Sequence, residues 1–136
     1  MLAPMDAAQA IADLEEISPQ VREVVVIGAD GAPAGSNLAD EAAAARLAEG
    51  ARKLVETGEA FRPGLAQLEV ATLTGSVFVV RDGDRMIAAT TTPEPTVGLV
   101  FYDLKTCLRS IEPPKKAAQH KATAQKPEEK DEDAAS

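Results

Sequence analysis

Apolar residues recur at three- and four-residue spacings near the start of the chain. Ala7, Ala10, Ile11, Leu14 and Ile17 share one helical face, with Asp6, Gln9, Asp13 and Glu16 on the other. The spacing predicts a helix over Met5–Ile17, ended at Ser18-Pro19 because a residue before proline is pushed out of the α region. Val21–Ile27 contains the unbroken run Val24-Val25-Val26-Ile27, whose β-branched density predicts a strand. Gly28-Ala29-Asp30-Gly31 is turn chemistry. Ala32–Ser36 is then a short second strand, placed at a sheet edge by Pro33 and Gly35. Asn37 or Asp40 caps a long helix over Ala39–Thr57, with Gly58 as its C-terminal stop. The face of this helix is small: Ala43, Leu47, Gly50, Ala51 and Leu54, flanked by Ala44, Ala48 and Val55. Gly50 costs about 1 kcal/mol of helix propensity relative to Ala. It marks either the close approach of another element or simple drift in an Ala-rich segment.

After the connector Phe61-Arg62-Pro63-Gly64, three strands follow. Gln67–Leu73 places Leu68, Val70 and Thr72 on one side and Gln67, Glu69 and Ala71 on the other. Val77–Val80 and Met86–Thr91 are apolar or small on both sides, with turns at Thr74-Gly75 and Arg81-Asp82-Gly83-Asp84. Thr92-Pro93-Glu94-Pro95 breaks the sheet, and Thr96 caps a last helix, Val97–Ile111. Its stripe is Val97, Val100, Phe101, Leu104, Cys107, Leu108 and Ile111. Leu99 and Tyr102 lie off that stripe, either as a contact surface or packed against the first helix.

The element order is α-β-β-α-β-β-β-α. Strands that are apolar on both faces need cover on both, which makes the first, fourth and fifth strands central and the second and third edges. Short turns make antiparallel hairpins of strands one and two, three and four, and four and five. One arrangement satisfies these conditions: a five-stranded antiparallel α/β sandwich in the order 2-1-5-4-3. The terminal helices cover one face and the middle helix the other. The third strand is then an edge that carries no Lys, the residue that commonly guards one. An unguarded edge predicts a two-fold homodimer through Gln67, Leu68, Glu69, Val70, Ala71 and Thr72, with Ala43, Leu47, Gly50, Ala51 and Leu54 beside the seam. Proline at Val70 is expected to abolish it.

Composition sharpens this picture at the C-terminus. All 35 apolar residues larger than Ala lie at or before Ile111, so the chain divides into a folded domain, 1–111, and a charged tail, 112–136, expected to be disordered. Net charge is −8; the domain holds nine basic and sixteen acidic residues, a balance that repels a phosphate backbone. No nucleic-acid partner is expected. The N-terminus has neither a basic nor an apolar signal region, and apolar runs are far too short to span a membrane, so a cytoplasmic protein is expected.

Candidate chemistry is sparse. One Cys excludes a disulfide scaffold and a structural zinc site, and the one His, His120, lies in the tail. The glycines near Gly31 match no phosphate loop, and Asp82-Gly83-Asp84 lacks the ligands of a calcium loop. Acid pairs such as Glu15-Glu16 read as solvated charge. No enzyme, metal or cofactor is expected. Arg46 and Arg52, read as outward on the middle helix, and Leu99 and Tyr102 are the candidates for contacting a partner.

The element order resembles the roadblock family of dynein-associated light chains and their bacterial and archaeal relatives. The likeness rests on Val24–Ile27 leading through Ala29-Asp30-Gly31 into a short strand, and on Pro95-Thr96-Val97-Gly98-Leu99-Val100 entering the last helix. The resemblance implies a fold akin to profilin and longin domains, dimerisation through the third strand and second helix, no catalytic residues, and service as a platform or regulator of Ras-like small GTPases. Thr96 stands where relatives often carry Asn. Two other functions stay open: a ligand-sensing domain, and a structural adaptor with no GTPase partner.

Overall fold

The computed structural model describes residues 6–111. The predicted tail 112–136 and Met5 lie outside the described residues. Within them the chain forms α1 (Ala7–Ile17), β1 (Val21–Ile27), β2 (Pro33–Ser36), α2 (Glu41–Phe61), β3 (Gln67–Thr72), β4 (Gly75–Asp82), β5 (Arg85–Thr91) and α3 (Val97–Ser110). The sheet is antiparallel in the order β2-β1-β5-β4-β3, as the patterning predicts.

Alternation along the central strands divides the core in two. Val24, Val26, Phe78, Val80, Ile87 and Ala89 face α1 and α3, joining Ile11, Leu14, Val100, Leu104 and Leu108. Val25, Ile27, Val79 and Ala88 face α2, joining Ala44, Ala48, Ala51 and Val55. Each central strand therefore buries both sets of side chains, which is why those strands are apolar throughout. On the first side, Phe78 meets Phe101 edge-to-face, with centroids 4.9 Å apart and planes at 74°.

Helix ends depart from the predicted bounds for identifiable reasons. Asp6 is not in α1 but caps it, its carboxylate accepting from the Gln9 N–H at 2.9 Å. Ile17, predicted on the buried face, is the last residue of α1 and is 60% exposed. Asp40 caps α2 by accepting from Ala43 N–H at 2.7 Å. Asn37 instead staples β2 to β1, accepting from Val24 N–H at 2.7 Å and donating to the Arg22 carbonyl at 2.8 Å.

Gly58 does not stop α2, which continues to Phe61 and is capped by Arg62. A Cβ at Gly58 would stand 2.7 Å from Leu65 Cδ2, so the missing side chain makes room for the connector that returns against the helix. Thr96 precedes α3 without a side-chain cap bond, and its N–H donates to Gln20 Oε1 at 2.6 Å. Val97, predicted to open the buried stripe of α3, is 39% exposed, and burial begins at Val100.

Candidate interaction surface

β3 hydrogen-bonds to β4 alone, in a register that pairs Leu68 with Val79, Val70 with Val77 and Thr72 with Gly75. Its other edge is free of any described strand. Leu68, Val70 and Thr72 share the α2 side of the sheet. α2 packs over β1, β2 and β5, and so leaves β3 largely uncovered. Leu68 and Glu69 are half-buried, Val70 is 39% exposed, and Gln67, Ala71 and Thr72 are exposed. Leu73 in the β3–β4 turn is almost fully exposed, at 98%. Gly75 closes that turn at φ +149, and a Cβ there would stand 2.1 Å from the Thr91 carbonyl oxygen. Only glycine fits both the conformation and the space.

The predicted α2 face separates into two stripes. Ala51 lies with Ala44, Ala48 and Val55 in the core at 1% exposure, so its side chain is covered by its own sheet. Ala43, Leu47 and Leu54 are half-buried on the adjoining flank, and Gly50 is exposed with nothing within 4 Å of a Cβ. Among the described residues nothing approaches Gly50, so none of them is the close neighbour considered for it. Phe61, read from sequence as connector, continues this flank one heptad past Leu54 and is 92% exposed. The spacing Leu47, Leu54, Phe61 carries that signal in the sequence. Leu47 and Leu54 pack against the same core cluster as Leu68 of β3, which puts the flank and the strand on one side of the sheet, and Phe61, Val70 and Leu73 are further exposed apolar side chains.

A polar clamp fixes the start of β3, and no sequence pattern announces it. The Glu59 carboxylate pairs with Arg81 Nη1 at 2.5 Å and accepts from the backbone N–H groups of Leu65 and Gly64 at 2.9 and 3.3 Å. Arg81 also donates to the Leu65 carbonyl at 3.1 Å. The Arg81 hydrogen bond, then the two backbone N–H groups, hold the Glu59 carboxyl below the usual carboxylate range. The clamp joins the end of α2, the connector and β4.

The candidate partner contacts divide likewise. Arg46 is exposed. Arg52 is bound to its own subunit, donating to the Gly31 carbonyl at 2.5 Å and pairing with Glu49 at 2.5 Å. Its reading as an outward arginine therefore gives way to a brace between α2 and the β1–β2 turn. Leu99 and Tyr102 are 48% and 67% exposed, so neither is buried between α3 and α1 and both present surface. Cys107 is buried on α3, and burial, with Asp13 nearby, pushes its thiol up to about 12. At physiological pH it stays a protonated, packed thiol.

No family model and no curated protein matches the sequence. Solved structures do match in fold. A roadblock/LC7 domain from Streptomyces avermitilis superposes with a TM-score of 0.66 at 17% identity, covering 78% of this chain and 94% of that one. The gliding protein MglB from Thermus thermophilus gives 0.59 at 11% identity, covering 77% and 84%. LokiProfilin1, in its complex with rabbit actin, gives 0.56 at 13% identity, covering 79% and 96%. The chain has a profilin-like α/β fold, and within that class it has the fold of a roadblock/LC7 domain.

Proposed function

We propose that this chain is a non-catalytic homodimeric regulator or scaffold. Two copies join through β3 and α2, and the joined surface binds a Ras-like small GTPase and modulates its nucleotide cycle. The observations that carry the reading are the open β3 edge and, on the same side of the sheet, the apolar α2 flank of Leu47 and Leu54, with Phe61 exposed at the helix end. A strand edge with free backbone groups and adjacent apolar side chains is a pairing surface. The roadblock/LC7 fold supports the GTPase partner through the resemblance carried by Val24–Gly31 and Pro95–Val100.

In this reading the dimer acts by shape complementarity, favouring one conformation of the GTPase switch segments. Arg46, Leu99 and Tyr102 are the exposed side chains of this chain offered to that partner. Affinity purification of the full chain should recover a P-loop GTPase whose hydrolysis or exchange rate changes on addition of the purified protein. Recovery of no GTPase, or unchanged rates in every one recovered, refutes the partner while leaving the dimer to be tested by mass.

A groove of about 590 Å³ lies between β2 and the start of α2, but it is open, and it does not favour a ligand sensor. Two of its polar side chains are already engaged: Asp40 caps α2, and Ser36 accepts from Leu38 N–H. A structural adaptor without a GTPase partner would use the same dimer and differ in client alone.

A further inference from the structure

The register of a β3–β3 pairing follows from which backbone groups are free; this step rests on the dimer just proposed. The Ala66 carbonyl accepts from Arg81 N–H at 2.8 Å, across to β4. Antiparallel alternation then turns the backbone groups of Leu68, Val70 and Thr72 toward β4, and those of Gln67, Glu69 and Ala71 outward. A copy related by a two-fold axis must match outward groups with outward groups. Within Gln67–Thr72 two such registers pair five residues of each chain, and every other pairs three or fewer.

One of the two centres the axis on Glu69. It sets each Glu69 opposite its twin at a Cα separation of about 5.5 Å. Glu69 is half-buried, and its Oε2 accepts from Ser76 Oγ at 3.0 Å, which fixes it on the α1–α3 side of the sheet. Two carboxylates so held repel, and like charges directly opposite across a strand pair are destabilising. The other register centres the axis on Val70. It sets Val70 against its twin in the closer, non-hydrogen-bonded type of pair, and opposes Glu69 to Ala71, which is small and uncharged. Leu68 then faces Thr72, and the exposed part of Val70 is covered.

We propose that a second copy of this chain pairs with β3 in the register that places Val70 opposite Val70 of the partner subunit, and that Glu69 is the residue that excludes the register centred on itself.

Disulfide trapping reads the register directly. A non-hydrogen-bonded pair has Cα atoms about 4.5 Å apart, within disulfide reach, whereas a diagonal neighbour at about 7–8 Å is not. Val70→Cys should therefore form a self-linked dimer under mild oxidation. A mixture of Leu68→Cys and Val70→Cys chains, one of them tagged, should give the mixed product as a minor species, because that link belongs to the Glu69-centred register. Cys107 is buried and does not compete. Adding Glu69→Gln to both chains should raise the mixed product.

A dominant mixed product with Glu69 intact overturns the register and leaves the dimer standing. A mixed product unchanged by Glu69→Gln overturns the role of Glu69. A dimer by mass with neither link overturns the β3 seam. A chain that stays monomeric by mass and unlinked overturns the dimer reading itself.

Discussion

Phe78 ties the strand that supports β3 to the helix layer beneath it, so truncating it tests the packing on which the surface rests. The ring is fully buried and meets Phe101 edge-to-face at 4.9 Å. Phe78 also stands opposite Glu69 in the β3–β4 register. Phe78→Ala removes the ring's burial and leaves a cavity between β4 and α3, a combination that costs about 3–5 kcal/mol. Against a total stability of about 5–15 kcal/mol, that is a large fraction. At about 4 °C per kcal/mol for a domain of this size, the midpoint of thermal unfolding should fall by roughly 12–20 °C. Urea unfolding should show a lower midpoint with an unchanged slope. Comparison at two protein concentrations separates this loss from any change in association. A double-mutant cycle with Phe101→Leu should return a coupling of about 0.5–1.5 kcal/mol. A loss below about 1 kcal/mol for Phe78→Ala, or a coupling of zero, would refute the described packing.

Two further outcomes test single positions. Gly75→Ala should be among the most destabilising substitutions in the chain, because its Cβ would stand 2.1 Å from the Thr91 carbonyl at a φ of +149. A loss of less than about 1 kcal/mol in urea unfolding would contradict the turn geometry. Glu59 is held below the usual carboxylate range by Arg81 and two backbone N–H groups, so its charged form stabilises the fold above that range. That contribution disappears as pH falls through the lowered native value. Glu59→Gln should therefore be less stable than wild type near neutral pH, and the difference should shrink as pH falls from the usual carboxylate range through the lowered native value, as followed by urea midpoints. Curves that stay parallel across that interval would show that the clamp does not act through the charge.

The strand order was legible because burial on two faces and burial on one leave different patterns. Val24–Ile27 and Val77–Val80 are apolar at every position, whereas Gln67–Thr72 alternates, and that contrast, together with the short hairpin turns, orders the sheet. What the pattern could not carry were contacts between residues far apart in sequence. Gly58 resembles a helix stop until Leu65 is seen to occupy the space beside it. Arg52 looks outward on a helical wheel but bends to the Gly31 carbonyl. The Glu59–Arg81 clamp joins side chains 22 positions apart, with no periodicity to mark it. Phe61 is a different case, since its spacing from Leu47 and Leu54 was available and the neighbouring Arg62-Pro63-Gly64 hid it.

The alternation of β3 also changes which substitution blocks the edge. Val70 directs its backbone N–H toward β4, so proline there breaks the hairpin inside the subunit. Ala71 directs its N–H outward, and Ala71→Pro removes an edge donor while leaving the ladder to β4 intact. Sedimentation equilibrium of the full chain, with Ala71→Pro beside it, is therefore the most direct measurement. Wild type should sediment at twice the chain mass of 14.2 kDa, and Ala71→Pro at the single-chain mass with an unchanged far-ultraviolet circular dichroism spectrum. A wild-type chain at the single-chain mass, or a folded Ala71→Pro chain still at the doubled mass, would contradict pairing through β3.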